Sequence, residues 1–152
     1  MKFTFGIVTY SGHDGKDNAP KVNQIIDAVE QENIPEYEIV VVGDFAGDRK
    51  NTRVIKFDET VKKGWITRKK NIITEKAKHD NIVFMHDYVM LSDTWHEEFI
   101  KFGNDWDICM TSIINSNFKR YRDWTTYDHP NIDPKNRQVV HNPISWIQYE
   151  PW

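Results

Sequence analysis

The order of elements along this chain predicts an α/β fold: a three-layer, mostly parallel, Rossmann-like sheet followed by an irregular aromatic C-terminal tail. Three observations predict it. Short β-branched runs alternate with stretches whose apolar residues recur at helical spacing. The connections between the runs are long enough for crossovers, as parallel pairing requires. The 152 residues, 39% hydrophobic and 28% charged, suit a single ordinary core.

Lys2 to Tyr10 reads as the first strand, rich in β-branched and aromatic residues with no helical period. A polar loop, SGHDGKDNA, leads to Pro20, which suits a first helical turn, and Val22, Ile25, Ile26 and Val29 define an amphipathic helix to Gln31. Glu38 to Val42 is a buried strand running into Gly43-Asp44, and Thr52 to Phe57 is a further strand. Ile66 to Lys78 reads as a second helix with Ile66, Ile73 and Ala77 on one side. Asn81 to Met85 is an apolar strand that runs into His86-Asp87-Tyr88. Thr94 and Glu97 have capping-box spacing, Trp95, Phe99 and Phe102 supply the buried face of the helix they open, and Gly103 ends it. Asp107 to Ile114 is expected to be a strand, with Cys109 buried in it as a small hydrophobe. The expected division is an α/β domain over 1–114 and an aromatic, proline-broken tail over 115–152. That tail carries Phe118, Tyr121, Trp124, Tyr127, Trp146, Tyr149 and Trp152, and it is expected to cover the sheet edge, begin an acceptor region or form a homodimer contact.

Composition excludes several classes. A net charge of -3 argues against a dedicated nucleic-acid binder. No apolar run approaches the roughly 18–20 residues of a membrane span. MKFTFGIVTY lacks the apolar region and cleavage site of a signal peptide, so the expected location is cytoplasmic. One cysteine rules out an internal disulfide framework.

In parallel sheets, ligands bind beyond the carboxyl ends of the strands. Three such ends carry polar groups: Thr9-Tyr10, Gly43-Asp44 and His86-Asp87-Tyr88. Asp44 and Asp87 each hold a ligand or are solvated at the sheet edge, and two of them at adjacent strand ends favour the ligand. Gly12, Gly15 and Lys16 fail as a phosphate loop, because only two residues separate the glycines and Asp17 follows the lysine. The segment Lys62 to Asn71 gathers Lys62, Lys63, Arg68, Lys69 and Lys70 at a helix start, where positive charge opposes the macrodipole. A diphosphate would relieve that arrangement; a solvated basic face is the alternative. His86 beside Asp87 is a metal-ligand candidate or a packing residue, whereas His13, His79, His96 and His129 have no paired spacing.

With these residues in view, the chain resembles the GT-A nucleotide-sugar glycosyltransferases, family 2 in particular. Ile7-Val8-Thr9-Tyr10 is similar to the strand that opens the family's nucleotide pocket, and EIVVVGD, ending at Asp44, to the strand whose aspartate contacts the base. Gly64 through Asn71 resembles the basic helix start, and FMHDYV the metal strand, with Leu91 to Trp95 similar to its continuation. The resemblance covers about Phe3 to Ile114 and implies transfer of a sugar from a nucleoside diphosphate sugar to a glycan or other hydroxyl acceptor. It implies nucleotide contacts from Thr9, Tyr10, Asp44, Lys63, Arg68, Lys70 and Asn71, and Mn²⁺ or Mg²⁺ at Asp87, with His86 as a further ligand. Tyr88 stands where the family often has a second carboxylate, and no acidic acceptor-side motif follows, so the chain reads as the donor-binding half. Asp123 is the candidate catalytic base. The alternatives are a nucleotide-sugar binding module without turnover and a protein-interaction module. A sugar nucleotidyltransferase is disfavoured by the lack of its glycine-rich loop.

Overall fold

The computed structural model describes residues 1–10, 17–109, 111, 113 and 114. The chain divides into two compact units, Met1–Asn104 and Asp105–Trp152. The first contains β1 (Phe3–Val8), α1 (Ala19–Gln31), β2 (Tyr37–Val42), β3 (Thr52–Ile55), α2 (Ile66–Lys76), β4 (Asn81–His86) and α3 (Trp95–Phe102). Four parallel strands form one sheet in the order β3-β2-β1-β4. Among the described residues no helix is long and apolar enough to cross a membrane.

The central strands β1 and β2 are almost wholly buried, which is why they read as unbroken apolar runs instead of alternating ones. The path from β1 to β2 moves one way along the sheet, and the path from β3 to β4 moves the other. Right-handed crossovers therefore put α1 and α2 on opposite faces. On the α2 face, Ile73 packs with Val8, Val40 and Val42, and only a glycine at position 6 leaves room for it. On the other face, Trp95 and Phe99 of α3 meet Phe3 in edge-on contacts at 5.5 and 5.7 Å. Each such buried side chain contributes roughly 1.5–3 kcal/mol relative to exposure.

Polar ties fix the elements' ends. Arg49, in the β2–β3 connection, reaches Asp27 at 2.6 Å and Glu30 at 2.7 Å on α1. At the amino edge of the sheet the buried Glu38 accepts from Thr4 Oγ1 at 3.0 Å and from the Lys78 amide at 2.5 Å, and it pairs with Arg53 at 3.4 Å. Arg53 also donates to the carbonyl of Lys76, the last residue of α2.

Four expectations fail. The capping box is not made: Thr94 is left-handed (φ 67°) and makes no side-chain cap bond. A remote carboxylate takes its place, since Glu32 at the end of α1 accepts the His96 amide at 2.7 Å. Phe102 is 47% exposed, because the short helix lays only Trp95 and Phe99 on the sheet. Ile66 is exposed at the start of α2, where the buried positions are Lys69 and Ile73. No described residue from 107 to 113 lies in a strand, and Ile114 makes a single bridge. Ile108 is 89% exposed and Cys109 half-buried, so the described residues of this run do not form the covered face that strand propensity reflects.

Candidate functional site

The strand order reverses at β1: the chain steps from β1 to β2 and β3 on one side and then returns to β4 on the other. In open parallel sheets the carboxyl ends of the strands at such a reversal are where ligands bind, and β1 and β4 end there side by side. Val8 and His86 are the last paired residues of those strands, which sets Thr9 and Asp87 next to each other just outside the ladder. Three donors converge on Asp87 Oδ2: the Thr9 hydroxyl at 2.9 Å, the Tyr10 amide at 3.2 Å and the Asn18 side-chain amide at 2.8 Å. The same Asn18 nitrogen also donates to the Tyr10 carbonyl at 2.9 Å.

Asn18 stands at the N-cap of α1 yet makes no side-chain capping bond. An asparagine cap ordinarily stabilises a helix by about 1 kcal/mol. Its side-chain amide is turned to Asp87 instead, a departure from local preference of the kind that marks functional sites.

Beneath Thr9 lies Lys69, only 1% exposed. Its ammonium donates to the Thr9 carbonyl at 2.6 Å, pairs with Glu59, and sits 5.6 Å from the Tyr10 ring and 5.0 Å from that of Phe57. Glu59 Oε2 in turn accepts the Gly64 amide at 2.7 Å. Gly43 closes the other side: its φ of 147° and a would-be Cβ 2.2 Å from the Thr9 carbonyl oxygen admit no side chain.

The basic segment disperses. Lys69 is buried in the fold and takes no part in an exposed cluster. Arg68 is exposed and pairs with Glu75 at 3.4 Å along its own helix. Lys62 lies over the Trp65 ring, and Lys63 and Asn71 are exposed. Lys70 stands over the Phe84 ring at 5.5 Å, on the side of β4 that leads to His86. The His86 imidazole stacks on Tyr88 at 5.2 Å, and burial, then the charge of Lys70, holds its pKa below the usual histidine range, against the opposing pull of Asp87. Asp44 is exposed at the end of β2, so β1 separates it from Asp87, and the two carboxylates do not end adjacent strands.

Among the described residues no three His, Cys, Asp or Glu side chains gather as a metal cage. Asp123, the aromatic tail and residues 11–16 lie outside the described residues. Lys69 escapes a reading based on charge clusters. Its spacing of four residues before Ile73 places it on the apolar stripe of α2, and that periodicity is the signal that finds it. No family model, curated protein or solved structure matches the chain.

The arrangement presents one oriented carboxylate at a topological switch point, with Tyr10 beside it and Lys70 flanking the β4 end. A carboxylate held in this way can accept from a hydroxyl donor or meet a cation.

Proposed function

We propose that this chain binds a nucleoside diphosphate sugar at the carboxyl ends of β1 and β4, as the donor-binding part of a GT-A-like glycosyltransferase. The observation that carries the reading is the convergence of Thr9, Tyr10 and Asn18 on Asp87 where the strand order reverses. Tyr10 and Asp44 face the nucleoside, the buried Thr9 acts through Asp87, and Lys63, Arg68, Lys70 and Asn71 supply the basic and polar flank of the diphosphate. The start of α2 adds to that flank, having neither a side-chain cap nor an acidic residue in its first turn.

The donor set suits a hard cation held mostly by the ligand. Mg²⁺ and its analogues commonly take one or two carboxylates and complete their shell with phosphate oxygens and water. Asp87 would be the protein oxygen for Mn²⁺ or Mg²⁺, with His86 next to it. Such a cation supplies neutralisation of the charge that develops on a leaving diphosphate. The residues of this chain orient the nucleotide and hold Asp87 in one direction. The acceptor is a glycan or another hydroxyl compound.

A second reading, nucleotide-sugar binding without turnover, is favoured by Tyr88, which follows Asp87 and is 70% exposed where a second carboxylate would complete a metal pair. Both readings predict binding. Calorimetry with UDP, GDP, CDP and dTDP, each with and without Mn²⁺, tests it. At least one should bind with metal dependence, and Asp87→Asn should weaken that binding by about tenfold or more, as losing a charged hydrogen-bond partner does. No binding by the wild type, or equal affinity in the variant, refutes the proposal. Turnover of nucleotide sugars with a mixed hydroxyl acceptor pool then separates the two readings.

A further inference from the structure

Lys69 is the most deeply buried charged side chain among the described residues, and nothing in the binding scheme above uses it. Burying an ammonium is costly unless its partners are near and well placed. Here they are: a carboxylate from Glu59, the Thr9 carbonyl and the rings of Tyr10 and Phe57. Stability alone does not account for the pair, since apolar residues of similar volume commonly hold a fold as well as a buried ion pair does. What apolar residues lack is a donor for Thr9.

The Thr9 carbonyl and the Tyr10 amide belong to one peptide group, which is planar and trans. Its oxygen takes the Lys69 ammonium, and its N–H, pointing the opposite way, goes to Asp87 Oδ2 at 3.2 Å. A cation at the oxygen end and a carboxylate at the N–H end polarise the peptide in the same sense, so each bond strengthens the other. Glu59 neutralises Lys69, so the effect of the lysine is directional and adds no net charge beside Asp87. With 1% exposure it lies out of reach of any ligand.

We infer that Lys69 is a positioning residue for Asp87: through the Thr9–Tyr10 peptide it aims the amide that orients the carboxylate, coupling α2 to the ligand edge of β1 and β4. As a statement about a nucleotide site, the inference rests on the reading given under the proposed function.

The test uses the full chain carrying Lys69→Met together with Glu59→Gln, which removes both charges and leaves an acceptor for the Gly64 amide. Lys69→Arg serves as a second variant; it keeps the charge and the Glu59 pair but replaces the single ammonium donor to Thr9. Two readouts follow: hydrogen exchange and chemical shift of the Tyr10 amide without ligand, and calorimetry with the four nucleoside diphosphates and Mn²⁺. Expected is about tenfold faster exchange at Tyr10, with amides inside β1 unchanged, and about tenfold weaker nucleotide binding, the scale of one charged hydrogen bond. Lys69→Arg should move both readouts in the same direction by less. Adding Asp87→Asn should abolish the further loss, because the lysine acts only through that carboxylate. An unchanged Tyr10 amide in whichever variant folds overturns the inference, as does a loss of binding additive with Asp87→Asn. A loosened Tyr10 amide in a chain whose wild type binds none of the nucleotides upholds the positioning of Asp87 and refutes the nucleotide reading instead.

Discussion

Gly6→Ala puts the packing of α2 on the sheet to a quantitative test. A Cβ at position 6 would lie 2.4 Å from Ile73 Cγ2 and 3.0 Å from its Cδ1. The nearer distance is more than about 1 Å short of ordinary carbon contact. Ile73 has no free space to retreat into, being fully buried among Val8, Val40 and Val42. As a β-branched residue in a helix it is also confined to essentially one χ1 rotamer. The helix must shift as a whole, and overpacking of this kind costs about 1–3 kcal/mol. Replacing a strand glycine by alanine returns about 0.4–1 kcal/mol through the unfolded chain. The net loss is then about 1–1.5 kcal/mol, or a fall in Tm of about 2–6 °C for a chain of this size. Urea denaturation of the wild type, Gly6→Ala, Ile73→Ala and the double variant checks it. Ile73→Ala alone should cost about 2–5 kcal/mol as a cavity. The double variant should be more stable than the sum of the two losses predicts, because the added methyl enters the space vacated. Gly6→Ala as stable as the wild type, or strictly additive losses, would refute the close packing of α2 on β1.

Two further outcomes separate the basic residues and the thiol. Lys70→Gln should raise the His86 pKa only part of the way to its ordinary value, since burial is the larger cause and remains, while Arg68→Gln should leave it unmoved; NMR titration of the imidazole reads both. The sign for stability follows: with its folded pKa depressed, His86 costs stability as pH falls below the unfolded value of about 6.5, and Lys70→Gln should flatten that acid slope. Arg68→Gln should also stay within about 0.5 kcal/mol of the wild type, its partner Glu75 being an exposed neighbour. Burial pushes the Cys109 thiol up, so at neutral pH it should alkylate with iodoacetamide more slowly in the native chain than in urea; equal rates would contradict the burial.

The four strands and three helices of the α/β unit were legible because each signal was strong on its own scale. β1 and β2 are unbroken β-branched runs, and α1 shows Val22, Ile25, Ile26 and Val29 at helical spacing. What escaped were features decided across the fold. Thr94 and Glu97 have the spacing of a cap, but the bond comes from Glu32, sixty-four residues from His96. Lys69 looked like one of five basic residues, yet its depth depends on Glu59 and Thr9, which only folding brings to it. Thr9 and Asp87 were each legible at a strand end, but the strand order that joins them and parts Asp87 from Asp44 was not; nor was the part of Asn18, because an N-cap asparagine is expected to serve its own helix.

Glu38 and Arg53 have a consequence for how this chain can vary. They anchor the last residue of α2 and the start of β4 to the amino edge of the sheet, through Lys76, Lys78 and Thr4. Asp87, with Thr9, Tyr10 and Asn18 converging on it, occupies the opposite edge. The register of the scaffold is thus secured at one end and the ligand contacts are displayed at the other. Loops at the carboxyl edge can then exchange residues, lengthen or acquire a different specificity without disturbing the ties that hold the layers together. Substitution of Glu38 has less freedom, since its buried carboxylate gathers Thr4, the Lys78 amide and Arg53, and an apolar replacement would leave the buried Thr4 hydroxyl without that acceptor. Divergence in ligand choice is expected to cost less at one pole of this sheet than at the other.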